Sequence, residues 1–127
     1  MGQLNGSEIL AKALKREGVE ELFFLMGGPM LTAEAATIQE GIRCIDVRHE
    51  QAAAMMAQAY SRLRQKPGFC MAASGPATIN LSTGLANALI DCCPVVALGG
   101  ASPMLGNGKQ VFQEIDQMEI MSGCVKY

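Results

Sequence analysis

The chain is predicted to be an α/β protein: a parallel sheet with helices on both faces, a three-layer sandwich truncated at its C-terminal edge. Three observations predict it. The strand-length segments are continuous apolar runs, such as LFFLM at 22–26 and CMAA at 70–73, which marks strands buried on both faces. Each run is followed by a turn and then by a helix-length segment, the rhythm of βαβ units. The 127 residues suffice for one domain with a core of its own.

Taken in order, Asn5-Gly-Ser-Glu8 has the spacing of a capping box. Ile9, Leu10, Ala13 and Leu14 then form an apolar stripe at helical spacing, and Gly18 supplies the stop. Leu22 to Met26 is the first strand, closed by Gly27-Gly28-Pro29, and Leu31 to Gln39 the second helix. Ile42 to Val47 is the second strand and Gln51 to Arg64 the third helix. Phe69 to Ala73 is the third strand, ending in Ser74-Gly75-Pro76, and Thr78 to Ile90 a fourth helix. Pro94 to Leu98 is a fourth strand stopped by Gly99-Gly100. A loop over 101–110, a helix over Val111 to Met121 and the start of a fifth strand at Val125–Tyr127 complete the prediction.

Composition narrows the function. Net charge is −2 and no basic run stands out, which argues against nucleic acid. No apolar stretch reaches the ~18 residues of a membrane span. The N-terminus has no signal-peptide layout, so a cytoplasmic location is expected. Five cysteines without CxxC spacing read as buried free thiols in a reducing compartment.

In a parallel sheet ligands bind beyond the carboxyl ends of the strands. The groups that follow the four strands are Gly27-Gly28-Pro29, Arg48-His49-Glu50, Ser74-Gly75-Pro76 and Gly99-Gly100. Three are glycine loops, which admit close approach of a ligand to backbone. The fourth carries Glu50, a carboxylate at the seam of a buried strand and a buried helix, where it needs a partner. Several familiar sites are excluded. Gly106-Asn-Gly108 lacks the third glycine of a dinucleotide fingerprint, and Gly108-Lys109 lacks the rest of a P-loop. His49-Glu50 has no second histidine, and Ser74, in AASGP, is no nucleophile elbow. The helix after Glu50 is apolar around most of its circumference, from Ala52 to Tyr60. Such a helix needs cover on every side, and a second domain or subunit would provide it.

The string RHEQAAAMMAQAYSRLRQKPGFCMAASGPATINLSTGLANALIDCCPVVALGG, with Phe112-Gln113-Glu114 after it, resembles the N-terminal pyrimidine-binding domain of thiamine-diphosphate-dependent enzymes. It is most similar to the acetolactate synthase, oxalyl-CoA decarboxylase and benzaldehyde lyase group. The order and spacing of the pieces, from about Ser7 onward, carry the resemblance. It implies that Glu50 is the catalytic carboxyl that meets N1′ of the aminopyrimidine and thereby activates thiazolium C2. It also implies that Gly27, Gly28, Ser74, Gly75, Pro76 and Asn80 line the cofactor pocket, and that Gln113 lies near the substrate. His49 has a supporting place.

The cofactor so implied is thiamine diphosphate with Mg2+, the metal and diphosphate being held by a domain absent from this chain. FAD is a further cofactor that the parent enzyme can carry. Residues 1–127 are thus expected to be a pyrimidine-binding fragment of a carboligase or decarboxylase, inactive alone. Its expected partners are the diphosphate-binding domain of another subunit and copies of itself, as a homodimer or homotetramer built on the 51–64 and 78–90 helices. Two alternatives are a separate subunit working with a diphosphate-binding chain and a non-catalytic interaction module. Two residues depart from the family pattern: Met26 replaces a common proline, and Ala77 replaces a glycine. A position that needs positive φ would be strained by alanine.

Overall fold

The computed structural model describes residues 3–127; Met1 and Gly2 lie outside the described residues. Helix α1 (Gly6–Arg16) starts from the expected capping box. The Asn5 side chain accepts from the Glu8 N–H, and the Glu8 carboxylate accepts from the Asn5 N–H, so two helix-end donors are satisfied together. Gly18 follows the helix at φ +77, a left-handed stop. Then come β1 (Glu21–Phe24), a 3-10 turn at Gly28–Met30, α2 (Leu31–Gln39), β2 (Arg43–Asp46), α3 (Glu50–Arg64), β3 (Gly68–Ser74), α4 (Pro76–Ile79), α5 (Ser82–Ile90), β4 (Val95–Gly100), a second 3-10 turn at Met104–Gly106, and α6 (Gln117–Met121).

The four strands form one parallel sheet in the order β2-β1-β3-β4. Phe23 pairs with Ile45 of β2 and Cys70 of β3, and Met71 pairs with Leu98 of β4. Side chains alternate between the two faces, and each face has its own core. Phe23, Cys70 and Ala72 pack with Ala53, Ala54 and Ala57 of α3 and with Leu81 and Leu85. Leu22, Phe24 and Met71 turn the other way, to Leu14 of α1 and Ala33 of α2. This is the predicted three-layer sandwich. Full burial of a leucine such as Leu22 or Leu81 stabilises it by roughly 1.5–3 kcal/mol.

On the first face the layer is thin because its contacts are alanine and glycine. A Cβ on Gly84 of α5 would lie 2.5 Å from the Ala54 Cβ, so α3 and α5 cross with their backbones nearly touching. The buried Gln58 ties the same pair: its amide donates to Asp91 (2.8 Å) and accepts from Asn87 (2.9 Å).

Four boundaries differ from the sequence expectation. Gly99 and Gly100 do not stop the fourth strand; they belong to it, and Gly100 pairs with Ser74 across an irregularity in β3. The single 78–90 helix is broken into α4 and α5 at Asn80–Leu81. The Thr78 hydroxyl donates to the Ala73 carbonyl (2.6 Å) and pins α4 to the sheet, whereas α5 lies along α3. The 111–121 helix shrinks to Gln117–Met121, because Gln113 takes φ +59 and Asp116 caps a fresh start by accepting from the Glu119 N–H. Val125–Tyr127 is not a strand. These residues instead line a groove of about 730 Å3 along the outer edge of β4 with Leu85, Leu89 and Val96. No helix among the described residues is long and apolar enough to cross a membrane.

Candidate functional site

The connection from β1 to β2 runs through α2 on one face, and that from β2 to β3 through α3 on the other. The carboxyl ends of β1 and β3 therefore lie side by side where the winding reverses, the usual crevice for a ligand in an open parallel sheet. Gly27 brings the two ends together: a Cβ there would sit 2.4 Å from the Ala73 Cβ. A Cβ on Gly28, in contrast, would meet no atom within 4 Å, so its Cα faces open space.

Glu50 is the first residue of α3 and only 9% exposed. His49 is the N-cap, its Nδ1 accepting from the Gln51 N–H at 3.2 Å. That gives the chain's one histidine a structural task, and the helix N-terminus favours the neighbouring carboxylate. Glu50 was expected to find its partner outside the chain. In fact one oxygen, Oε2, accepts from the Asn80 amide at 2.9 Å. The other, Oε1, makes no hydrogen bond among the described residues.

The second cluster surrounds the end of β3. Ser74, 1% exposed, donates from its hydroxyl to Gln113 Oε1 at 3.3 Å. Gly75 adopts φ +57 and ψ −116, a combination open to glycine, and a Cβ there would fall 2.1 Å from the Gln113 carbonyl oxygen. Pro76 begins α4, where its missing N–H is no loss. Ser74 and Gln113 line a cavity of about 560 Å3 with Ser102, Asn107 and Gln117. Glu50 does not line this cavity. The two clusters are joined through α4, one turn long, with Gly75 at its start and Asn80 at its end.

Ala77 lies within α4, 8% exposed, and is not among the residues of positive φ. The glycine-only geometry falls two residues earlier, at Gly75, so alanine at 77 brings no backbone strain. Met26 is 60% exposed and carries no contact that accounts for it.

Sequence reasoning missed Gln117. Its side-chain amide accepts from the Gly75 N–H and donates to the Gly100 carbonyl, both at 2.7 Å, and so extends the β3–β4 ladder by one side chain. Nothing in DQMEI signals this; the role follows only from where the loop returns to the sheet.

Residues 4–120 match the family model described as the thiamine pyrophosphate enzyme, N-terminal TPP binding domain. The chain belongs to this family. It is 40% identical over 126 residues to the acetolactate synthase isozyme 2 large subunit of Escherichia coli (strain K12), covering 98% of this chain and 23% of that protein. It is 41% identical over 123 residues to the chloroplastic acetolactate synthase of Arabidopsis thaliana (96% and 18%). To human 2-hydroxyacyl-CoA lyase 1 it is 38% identical over 117 residues (92% and 20%). The chain thus spans about a fifth of the length of the curated relatives it matches. The family resemblance drawn from the RHEQ and SGP segments is shown by these matches, and thiamine pyrophosphate is the family's cofactor.

Proposed function

We propose that this chain supplies the pyrimidine half of a thiamine diphosphate site and that Glu50 is the carboxyl facing N1′ of the cofactor. The observation that carries this reading is the state of Glu50: nearly buried, at the switch point of the sheet, with one oxygen held by Asn80 and the other unpartnered among the described residues. A nearly buried carboxylate with an unused acceptor oxygen can take a donor, and a ring nitrogen, once protonated, is one. The open space at Gly28 fits the entry of a flat ring.

The cofactor, when bound, supplies the stabilisation of a carbanion next to a carbonyl group. What the chain's own residues do is narrower. Glu50 Oε1 holds or shares one proton with the ring nitrogen. Gly27, Gly28, Ser74, Gly75, Pro76 and Asn80 shape the pocket around it, and Gln113, which lines the 560 Å3 cavity beside Ser74, is assigned to the substrate. Mg2+ and the diphosphate are assigned to a domain other than this one, and any FAD of the parent protein would also lie outside the residues described. The complete protein makes or breaks a carbon–carbon bond beside a carbonyl, as an acetolactate synthase-like carboligase or decarboxylase. Relatives named as synthases and lyases support this. Copies associate through α3 and α5, whose outer sides expose Met55, Met56, Leu63, Leu89 and Ile90.

The experiment is Glu50→Gln in the holoenzyme containing this chain, with proton exchange at C2 of the bound cofactor as the measurement. Losing a positioned acid–base group lowers such a step by about 10²–10⁴-fold. Exchange within a few-fold of the parent would overturn the reading.

A further inference from the structure

We propose that Asn80 is a positioning residue that fixes which Glu50 oxygen faces the cofactor, and is not itself a contact to the cofactor. This rests on the reading of Glu50 given above. A glutamate carboxylate is a roughly two-fold rotor whose oxygens are equivalent until something distinguishes them. Here one partner does so: Asn80 Nδ2 lies 2.9 Å from Oε2. An ionised carboxylate only accepts, so the amide must turn its nitrogen to Glu50 and its oxygen away. The remaining oxygen, Oε1, is left aimed without a partner.

Asn80 can serve as a fixed reference because its own backbone is tied down. Its N–H donates to the Pro76 carbonyl at 2.9 Å. The Thr78 hydroxyl anchors the same turn to Ala73 at 2.6 Å, and Gln117 holds the Gly75 N–H at 2.7 Å. The amide therefore stands on a bracket fastened to the ends of β3 and β4. Glu50, for its part, stands on the first turn of α3, which packs on the same sheet face. Two rigid supports meeting through one hydrogen bond define the orientation of the carboxyl plane more narrowly than either could alone.

The test has two readouts. In the 15N-labelled chain without cofactor, the Asn80 side-chain amide should lose its downfield shift and exchange faster with water in Glu50→Ala. An unchanged Asn80 resonance would refute the contact. In the holoenzyme, Asn80→Ala should lower C2 proton exchange by about 10-fold or more while half-saturation by thiamine diphosphate stays within about two-fold. Asn80→Asp, of the same size, sets two carboxylates face to face. It should be equally impaired at neutral pH and recover as pH falls, when a shared proton restores the donor. Weakened cofactor binding with unchanged exchange would make Asn80 a cofactor contact and overturn the proposal. Where Asn80→Ala unfolds, the pH profile of Asn80→Asp decides alone. Glu50→Gln, run in parallel, separates the two readings. If it too leaves exchange intact, the Glu50 assignment fails. If it abolishes exchange while both Asn80 variants are silent, only the present proposal fails.

Discussion

Gly75 has little freedom to change. Its φ +57 and ψ −116 exclude a side chain sterically, and the Gln113 carbonyl occupies the place of a Cβ. Gly75→Ala is expected to destabilise the fold by about 1–3 kcal/mol from backbone strain, lowering the thermal midpoint by roughly 5–10 °C. A circular dichroism melt superimposing on the parent would contradict this. Single residues also show where the sequence was transparent. Glu50 stood out because a charge between apolar segments is unusual, and Ser74 and Gln113 because they sit in recognisable segments. Gln117 did not, since an amide in a polar loop has no distinguishing neighbour. The strain suspected at Ala77 belongs to Gly75, because backbone angles are set by the turn and not by the residue's identity. Five buried thiols were expected, but only Cys70 is buried; Cys44, Cys93 and Cys124 are partly exposed and Cys92 is exposed, since Cys92, Cys93 and Cys124 line the open groove beside β4. Burial pushes Cys70 up to about 12 and Cys44 to about 11, and both stay protonated at neutral pH.

Among the elements, the loop between β4 and α6 depends on one carboxylate. Glu114 accepts from the backbone N–H groups of Gly108 and Val111, and those bonds, that of Gly108 first, hold its pKa below the ordinary value of 4.5. A lowered carboxylate pKa means that the folded loop favours the ionised form. Its contribution is complete above 4.5 and is lost as pH falls through the lowered value. The protection of the Gly108 and Val111 amides, taken relative to their intrinsic exchange rate at each pH, should therefore fall on acidification while the β3 amides keep theirs. Glu114→Gln should show the faster exchange already at neutral pH. Equal exchange in the variant and the parent would refute the role. The 111–121 helix was overestimated for a different reason: apolar spacing registers a helix, but not the positive φ at Gln113 that interrupts it before Asp116 caps a new start. Strands and long helices were legible because their apolar runs follow the layers; α4, held by Thr78 and Gly75, was not.

For the whole molecule, the parallel sheet, its two covered faces and the apolar outer surface of the 51–64 helix followed from the sequence, while the strand order did not. The outer sides of α3 and α5 expose Leu63 at 82% and Ile90 at 80%, with Met55 and Met56 about half as open. A surface of this kind is consistent with the proposed association of copies. Leu63→Lys with Ile90→Lys should weaken self-association at least about 10-fold, since each buried side chain of this size contributes roughly 1.5–3 kcal/mol. Sedimentation would measure it, with the melting temperature unchanged as control. Identical sedimentation of variant and parent would remove these helices as the interface.

The near-contact of Gly84 with Ala54 has a consequence for how such chains can diverge. Glu50 rides on α3 one turn ahead of Ala54, so whatever lifts α3 from α5 also displaces the carboxyl. Positions 54 and 84 therefore share one small volume. A methyl at 84 would meet the Ala54 Cβ at 2.5 Å and the Met55 N at 3.1 Å, so the two positions cannot grow together. The place of the Glu50 carboxyl is thus set in part by two small residues behind it.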